Sequence, residues 1–439
     1  ISFFEKIKIN YKYIFFNLYN KFDTLLFKND INPFEFVSSY PLLNGIDHMA
    51  VTPIRENNNQ YAETFGLEDI EKIRSFDLDV LIRFGFKILK KEILSVPKHG
   101  IWSYHHGDPS TVRGAPSCLW EVFEDTNVTG SCLQVLTENL DAGRILYKSF
   151  SATDNISVHR NRTNTYLKSI AYVEKNLERL YKLGTIQFNK NVDELNRAPV
   201  MYSNKFYSSK DLTNWKMLKL IVPLFYKALI RRGVSIFHKS NWAIFFSLTS
   251  INEFFKFKPI YPPKGRFYAD PFIILEGDKY YIFIEEYIYK ANKGIISLII
   301  MDKNGQFQNP IPIIDKPYHL SFPSNIKYQE DYYLIPESRS NKTIDLYKCI
   351  VFPYKWELVA TLMEGVEAVD TVIFQHNNKF WLFTNIVENK GASSLDELFL
   401  FYSNSLVTTQ WTPHPKNPII SDVRRARSAG NIFLHNNII

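Results

Sequence analysis

The sequence predicts an α/β domain with a mainly parallel sheet, followed by an all-β domain. From about residue 65 to 180, apolar strand patterns alternate with helical patterns, as in parallel sheets covered by helices. After residue 260, short strands and turns rich in aromatic residues replace that alternation. We expect three regions: the α/β domain at 1–185, a basic helical linker at 186–255 and the β domain at 256–439.

The α/β region is expected to open with an amphipathic helix, because residues 1–28 carry apolar residues at near-helical spacing with lysines between them. The elements after it are a helix LEDIEKIRSFD, a strand at 80–86, a helix KKEILSV, a strand at 101–106, a helix around PSCLWEVFE, the strands GSCLQVLTE and GRILYKSFSA, and a helix at 158–183. The chain starts without Met and stops inside a strand-like pattern. We therefore expect a fragment truncated at both ends, without the first strand of its sheet.

Three segments of the C-terminal region repeat one pattern, an apolar strand, a short polar turn and an aromatic strand. They lie at 271–286, 323–338 and 371–385, and a fourth begins at 431–437. The equivalent residues Tyr280, Tyr332 and Phe380 are 52 and 48 residues apart. Antiparallel repeats of about 50 residues predict a β-propeller with one blade per repeat, the last one missing. A β-sandwich is the alternative, since sandwiches also show regular hairpins.

Composition excludes several classes of protein. The chain has 439 residues, too many for one average domain, and 52 Lys and Arg against 45 Asp and Glu. A net charge of +7 is low for a nucleic-acid-binding protein of this size. Three cysteines without a CxxC pair argue against a disulfide framework and a zinc site, so we expect no metal and a reducing, cytoplasmic location. No apolar run is long enough to span a membrane.

A basic segment separates the two regions. No acidic residue lies between Asp211 and Glu253, while lysines and arginines punctuate apolar runs at 216–239. A basic amphipathic helix can lie on a membrane surface. It can equally be a connector whose apolar face packs between two domains, and Pro223, which is expected to interrupt the helix, favours this second interpretation.

One line of the sequence carries candidate chemistry. A predicted strand ends at His105 and His106, and a later turn between strands carries Asp141. Ligands of α/β sheets bind at the carboxyl ends of strands, so His105 and Asp141 form a candidate acid/base pair. A histidine in a solvated loop is the alternative interpretation.

These residues resemble the catalytic domain of the folate-dependent formyltransferases, whose motif is Asn-x-His, Arg-Gly, Thr-Gly and Leu-Asp-x-Gly. His105 lies eight residues before Arg113, and Asp141 lies twelve residues after Thr129, as in that family. The resemblance covers about residues 65–150. It implies a Rossmann-type domain.

The resemblance also implies an activity, the transfer of a formyl group from 10-formyltetrahydrofolate to the amine of a sugar or sugar-linked substrate. His105 would stabilise the oxyanion and Asp141 would relay the proton of the amine. Ser103 stands where the family has Asn and offers one donor. A slower formyltransferase, a different acyl donor and a hydrolase therefore stay open. The expected cofactor-binding residues are Phe84, Gly85, Phe86, Ile88, Leu89, Arg113 and Gly114.

The repeats resemble the five-bladed propellers of glycan-processing enzymes, and most closely the N-terminal domain associated with glucosamine inositolphosphorylceramide transferases. The resemblance rests on YADPF, IPESR, DTVIF and RRARSAGNIF and covers about 260–439. Innermost strands of a propeller line its channel, so Asp270, Ser321, Asp370 and Ser428 are expected near one end of it. The expected substrate-binding residues are Asp270, Glu337, Asp370, Arg424, Arg425 and Arg427.

Three roles are open for this ring. It binds a glycan, or it hydrolyses one with Asp270 and either Glu337 or Asp370 as the two carboxylates, or it is a scaffold in which these acids cap strands. The principal functional prediction is a formyltransferase-like enzyme whose propeller binds the glycan. The alternative is a carbohydrate-active or carbohydrate-binding propeller attached to a degenerate formyltransferase domain.

Overall fold

The computed structural model describes residues 11–28, 31–56, 59–139, 143–197, 206–237, 241–249 and 253–433. The chain forms two compact units. The N-terminal unit comprises 1–232 with 388–393, and the C-terminal unit comprises 233–387 with 394–439. The division at 232/233 falls within the segment expected to be a linker.

The N-terminal unit combines short sheets with helices. Its strands are β1 (Ile54–Glu56), β2 (Asn59–Thr64), β3 (Leu81–Arg83), β4 (Ile88–Leu89), β5 (Ile101–His105), β6 (Arg113–Gly114), β7 (Val128–Val135), β8 (Arg144–Ala152) and β9 (Phe206–Tyr207). Its helices are α1 (Ile14–Leu26), α2 (Leu67–Arg74), α3 (Trp120–Phe123), α4 (Val158–Ser169), α5 (Ala171–Leu195) and α6 (Asn214–Phe237). Lys91–Ser95, expected as a helix, forms a 3-10 turn.

The main sheet of this unit has the order β3-β5-β7-β8. Only β3 and β5 run parallel in it, because β7 is antiparallel to both β5 and β8. The prediction of a mainly parallel sheet is therefore wrong for the described strands. The reason is that six consecutive residues of β7 are buried, and a strand covered on both faces has a continuous apolar pattern whatever its direction.

Helix α5 packs on β8 and covers one face of that sheet. The core between them contains Trp102, Leu133, Tyr172 and Phe188. The helix expected at 158–183 is in fact two helices, α4 and α5, and α5 continues beyond residue 185 through a kink at Gly184, whose φ is 70°.

Two amphipathic helices, α1 and α6, share a second core. Phe15, Phe16 and Tyr19 of α1 and Met217 and Leu224 of α6 belong to it. The expected interruption of α6 at Pro223 is wrong, because the helix runs continuously from Asn214 to Phe237. Leu224, next to the proline, is buried in that core, and this packing offsets the hydrogen bond that the proline cannot donate.

The C-terminal unit consists of antiparallel strands. They are β10 (Ile244–Phe246), β11 (Lys258–Ile260), β12 (Arg266–Glu276), β13 (Lys279–Ile288), β14 (Lys293–Asp302), β15 (Ile311–Ile314), β16 (Ser321–Tyr328), β17 (Asp331–Ser338), β18 (Thr343–Val351), β19 (Lys355–Glu364), β20 (Ala368–His376), β21 (Lys379–Ile386), β22 (Glu397–Ser403), β23 (Thr412–Pro413) and β24 (Ile420–Ser421).

The sequence repeats correspond to successive sheets, β12-β13-β14-β15, β16-β17-β18-β19 and β20-β21-β22-β23, with β24 beside β22. Each predicted hairpin forms the first two strands of one sheet. Side chains from neighbouring sheets, including Phe283 and Leu334, pack in one cluster. One sheet per repeat agrees with the predicted blades rather than with the two facing sheets of a sandwich. The number of blades stays a prediction.

The first strand of every repeat carries the same bulge. Two residues of β12, β16 and β20 face one residue of the next strand, and the register resumes afterwards. The first bulge residue has a left-handed backbone each time, with φ of 48° at Asp270, 43° at Phe322 and 53° at Asp370. Non-glycine residues seldom adopt this conformation, and it concentrates at functional sites.

Candidate functional sites

The N-terminal unit places Ser103 and His105 on β5, where the sequence predicts catalysis. Ser103 is buried, and its hydroxyl accepts a hydrogen bond of 2.9 Å from Arg83 Nη1. The same guanidinium donates from Nη2 to the carbonyl of Phe86. The Ser103 hydroxyl itself donates a hydrogen bond to the Tyr104 carbonyl, 3.4 Å away. Sequence reasoning missed Arg83, which is the cation held against this serine.

The two adjacent histidines have different environments. The ring of His106 stacks on Tyr166 with centroids 3.7 Å apart, and its Nε2 lies 3.0 Å from Ser169 Oγ. Burial and the neighbouring His105 lower the pKa of His106 to about 3, so it is neutral at pH 7. His105 is half-buried and remains the candidate for proton handling.

Asp108, in the loop that follows β5, forms a second polar contact. Burial acts to raise its pKa, but hydrogen bonds from Lys148, 2.8 Å away, and from the Ser110 N–H outweigh it, and the pKa is lowered. A Cβ on Gly130 would lie 2.7 Å from Asp108 Cβ. The Thr-Gly pair of the motif therefore has a packing reason, because only glycine admits this approach.

The predicted cofactor loop follows β3. Phe84 and Phe86 are exposed, and Gly85 has φ of 74° with no atom within 4 Å of an added Cβ. Ile88 and Leu89 form β4, which pairs in parallel with β2. Leu89 is buried, so its side chain is part of the core rather than of a ligand surface.

Arg113 and Gly114 form β6 rather than opening directly onto a helix, and β6 pairs with Phe206 and Tyr207. Gly114 has φ of 109°, and an added Cβ would lie 1.9 Å from the Tyr207 carbonyl oxygen. This glycine is required by the pairing of two strands.

Asp141 lies outside the described residues. The structure brings Ser103 and Arg83 together, with His105 two residues further along β5, and the pairing of His105 with Asp141 stays a prediction.

The C-terminal unit gathers four carboxyl groups, which we call the carboxylate cluster. Asp270 and Asp370 occupy the first bulge positions of β12 and β20. Glu285 lies on β13, which pairs with β12, and Glu337 lies on β17, which pairs with β16. The Asp370 N–H donates to Glu337 Oε2 at 3.2 Å. The bulges therefore turn acidic side chains from different repeats toward one place.

The cluster holds protons at neutral pH. Burial, followed by repulsion from Asp270, raises the pKa of Glu285 to about 8. Burial and Asp370 raise the pKa of Glu337 to about 7, and the same two causes raise that of Asp270. Like charges crowded in a low-dielectric site cannot all ionise together.

The cations near the cluster are Arg427 and, when protonated, His319. Arg427 Nε donates to Asp370 Oδ2. His319 Nε2 lies 3.5 Å from Glu285 Oε1, but burial lowers its pKa and favours the neutral ring. Negative charge therefore exceeds positive charge among these groups whenever Asp270 and Asp370 are ionised.

The other predicted ring residues separate into two groups. Arg424 and Arg425 bind Asp422, with Arg424 Nη2 only 2.7 Å from its Oδ2. Ser321 pairs with Glu337 across β16 and β17, and Ser428 is half-buried.

Sequence reasoning missed Glu285. It lies 52 residues before Glu337, the same spacing that relates Tyr280 to Tyr332, and this repeat position was the signal that could have found it.

Comparison with known proteins finds a sequence family to which the C-terminal part of this chain is similar. Residues 259–439 match the sequence model of the family described as glucosamine inositolphosphorylceramide transferase 1, N-terminal. The chain is also 34% identical over 174 residues to glucosamine inositolphosphorylceramide transferase 1 of Arabidopsis thaliana, a match that covers 39% of this chain and 22% of the relative. The chain thus spans about a fifth of the length of that relative.

A second relative has a different activity. Methionyl-tRNA formyltransferase of Prochlorococcus marinus (strain MIT 9215) is 28% identical over 181 residues, which cover 39% of this chain and 53% of that protein. Among solved structures, an exo-β-1,3-galactanase from Phanerochaete chrysosporium has a TM-score of 0.31 at 12% identity, covering 39% of this chain and 42% of its own. A family 117 glycoside hydrolase from Zobellia galactanivorans has a TM-score of 0.30 at 12% identity, covering 41% and 63%.

Proposed function

We propose that the C-terminal unit binds a sugar that carries a protonated amine, and that the carboxylate cluster is the binding site. The observation that carries the proposal is that four carboxyl groups, two of them on the buried residues Glu285 and Asp370, gather around Arg427, the permanent cation that the described part of the chain places against them. Buried charge without a partner is costly, so a cationic ligand would be bound strongly there.

The mixture of protonated and ionised carboxyl groups suits a sugar. Ionised Asp270 and Asp370 would accept hydrogen bonds from the ammonium group, and protonated Glu285 and Glu337 would donate to hydroxyl or ring oxygens. The left-handed backbone at both aspartates supports a functional role, because such strain is kept where the surrounding fold uses it.

The comparisons support the same class of ligand. The names of the matched family and of the Arabidopsis relative both contain glucosamine, which is an amino sugar. For the present chain, recognition of an amino sugar is the proposal, and a sugar-transferase activity of the whole protein would be a further proposal.

Titration calorimetry of the full chain with glucosamine, glucose and N-acetylglucosamine at neutral pH tests this function. We expect glucosamine to bind more tightly than the two uncharged sugars by about 1.5–3 kcal/mol, the worth of one charge-assisted hydrogen bond. Equal affinity for glucosamine and glucose would show that the carboxylates do not bind the amine.

A second candidate function is formyl transfer by the N-terminal unit. The spacing of His105, Arg113 and Thr129 and the similarity to a methionyl-tRNA formyltransferase favour it. An amine would attack the formyl carbon, and His105 would stabilise the oxyanion that forms. Asp141 would relay the proton that the amine loses to the departing nitrogen of the formyl donor, as the bond from that nitrogen to the formyl carbon breaks and tetrahydrofolate leaves.

The residues of the cofactor loop fit a flat heteroaromatic ring. Exposed Phe84 and Phe86 offer aromatic surfaces, and the space around Gly85 is open. When bound there, 10-formyltetrahydrofolate would supply the formyl group. Ser103 would contribute little as a donor, because it binds Arg83 and Tyr104, and the Arg83 guanidinium would provide hydrogen-bond donors in place of the family asparagine.

The test is incubation with 10-formyltetrahydrofolate and amino sugars, followed by mass spectrometry for a product that is heavier by one formyl group. We expect His105→Ala to abolish the product and His48→Ala, at a histidine that no functional prediction involves, to retain it. An inactive wild-type chain that still binds glucosamine would favour a sugar-binding protein with a degenerate formyltransferase domain.

A further inference from the structure

Helix α6 has two apolar faces, and only one is covered. Met217 and Leu224 are buried in the core shared with α1. A second set of apolar side chains is exposed: Trp215, Leu218, Val222, Phe225, Tyr226, Leu229 and Ile230. They recur three or four residues apart and so form one stripe along the helix. We call them the α6 stripe. A helix that is apolar on opposite faces is normally covered on both.

Cations flank the α6 stripe. Lys216 and Lys219 are exposed, and Lys219 Nζ lies 5.3 Å from the ring centroid of Trp215. The sequence has no acidic residue from 212 to 252. Long basic side chains beside apolar ones can extend toward phosphate groups while their stems stay in contact with apolar surface.

Helix α1 repeats this arrangement and is tied to α6. Asn214, the first residue of α6, accepts a 3.1 Å hydrogen bond from the Phe15 N–H and donates to the Tyr11 carbonyl at 2.7 Å. Five apolar residues of α1 are exposed, and so is Tyr11, which lies three residues before the helix. The five are Ile14, Leu18, Phe22, Leu25 and Leu26. Asp23, the acid of this helix, is buried and accepts from the His159 N–H, so it adds no negative charge to the surface.

We propose that the N-terminal unit docks on the surface of a lipid bilayer containing anionic lipids, through the α6 stripe with α1 beside it. Aromatic and aliphatic side chains would enter the boundary between headgroups and acyl chains, and the flanking lysines would meet anionic headgroups. Charge complementarity selects this partner, since Lys216 and Lys219 flank the stripe and α6 itself has no acidic residue. No helix among the described residues is long and apolar enough to cross a membrane, which agrees with a helix lying in the interface plane.

Vesicle flotation of the full chain tests the proposal. We expect the chain to float with vesicles of phosphatidylcholine and phosphatidylserine, and less with phosphatidylcholine alone. The triple variant Val222→Gln, Phe225→Gln and Leu229→Gln should lose flotation. A matched control replaces Ile350, Val351 and Leu358, aliphatic residues of similar exposure on the second sheet of the C-terminal unit, by Gln and should float normally.

Charge and folding are tested separately. Replacing Lys216 and Lys219 by Gln should weaken binding to the anionic vesicles by up to about fivefold per cation, with loss at high salt. Circular dichroism checks that the variants fold, and the single variant Phe225→Gln serves if the triple variant does not. Wild-type protein that floats with neither vesicle, or a folded stripe variant that floats like wild type, overturns the proposal. So does light scattering that shows a dimer dissociated by the stripe variant, without vesicle binding.

Discussion

The polar side chains of the two units differ in the partners that the protein provides for them. In the N-terminal unit, Ser103 binds Arg83, Asp108 binds Lys148, and His106 is buried as a neutral ring. In the C-terminal unit, four carboxyl groups crowd together around Arg427, and the pKa values of three of them are raised. These three groups of the N-terminal unit have neighbours within the protein, whereas the carboxyl groups of the C-terminal unit would gain stability from a bound cation.

This difference shows where ligand binding energy is available. A polar group that already has a partner of opposite charge offers little to a ligand, because binding would have to replace that partner. Crowded carboxylates with displaced pKa values mark a site that a ligand completes. The C-terminal cluster is therefore the stronger binding candidate, and the N-terminal site depends on His105 and Arg83.

The largest expected effect is an opposite pH dependence of the two units. The pKa of His106 is lowered from 6.5 to about 3, so below pH 6.5 the unfolded chain binds a proton that the folded unit does not. The stability that His106 contributes is thus full above pH 6.5 and is lost as the pH falls toward 3, whereas the buried Glu121 of the same unit, with its pKa raised to about 7, contributes in the opposite sense. At about 1.4 kcal/mol per pKa unit, a few kcal/mol are involved.

The C-terminal unit should respond with the other sign. The pKa values of Glu285 and Glu337 are raised from 4.5 to about 8 and about 7, so the folded unit keeps protons that the unfolded chain loses. Its stabilisation is full below pH 4.5 and is lost as the pH rises through 7 to 8. Calorimetry as a function of pH should resolve the two trends, and His106→Phe and Glu285→Gln should each flatten one. Unchanged profiles in these variants would contradict the assignment.

Two glycines of the N-terminal unit, Gly114 and Gly85, differ in the space around them. Gly114→Ala should destabilise the unit by about 3 kcal/mol, because its Cβ would lie 1.9 Å from the Tyr207 carbonyl oxygen. Gly85→Ala, at a similar positive φ but with no atom within 4 Å, should cost only the backbone strain of about 1 kcal/mol. Denaturant unfolding measures both, and equal losses would mean that strain alone matters at Gly114.

Asp270→Asn tests whether the carboxylate cluster binds or catalyses. The amide keeps the left-handed backbone and removes the charge, so we expect glucosamine binding to weaken by about 1.5–3 kcal/mol in calorimetry. Asp278→Asn, at an exposed turn with only a distant lysine partner, is the matched control and should bind normally. Sugar release by wild type that disappears in Asp270→Asn while binding persists would indicate hydrolysis instead.

The smallest effect is expected at Ser103. Ser103→Ala removes one partner of Arg83 but leaves the Phe86 carbonyl to hold it, so we expect a loss of about 1 kcal/mol in unfolding free energy. If formyl transfer is observed, Arg83→Met should reduce it far more than Ser103→Ala. A larger loss of formyl transfer in Ser103→Ala than in Arg83→Met would indicate that Ser103 is the principal hydrogen-bond donor.

Much of the C-terminal unit was predictable because its repeats are local. A strand, a turn and a second strand lie within about 16 residues, so apolar alternation and turn residues define each hairpin. The bulges were not predictable, since no sequence rule places a left-handed residue at Phe322. Glu285 was recoverable only by aligning the repeats, whereas Arg424 and Arg425 pair with the nearby Asp422, an acid that lies outside the predicted ring.

In the N-terminal unit, the sequence by itself determined most elements and the motif on β5, because apolar periodicity and capping act over a few residues. Only the tertiary structure decided that β7 runs antiparallel to β5, that Arg83 meets Ser103 and that α6 passes through Pro223. Each of these depends on residues far apart in the chain, and burial acts on whichever side chains meet, without leaving a local pattern for their direction or their partners.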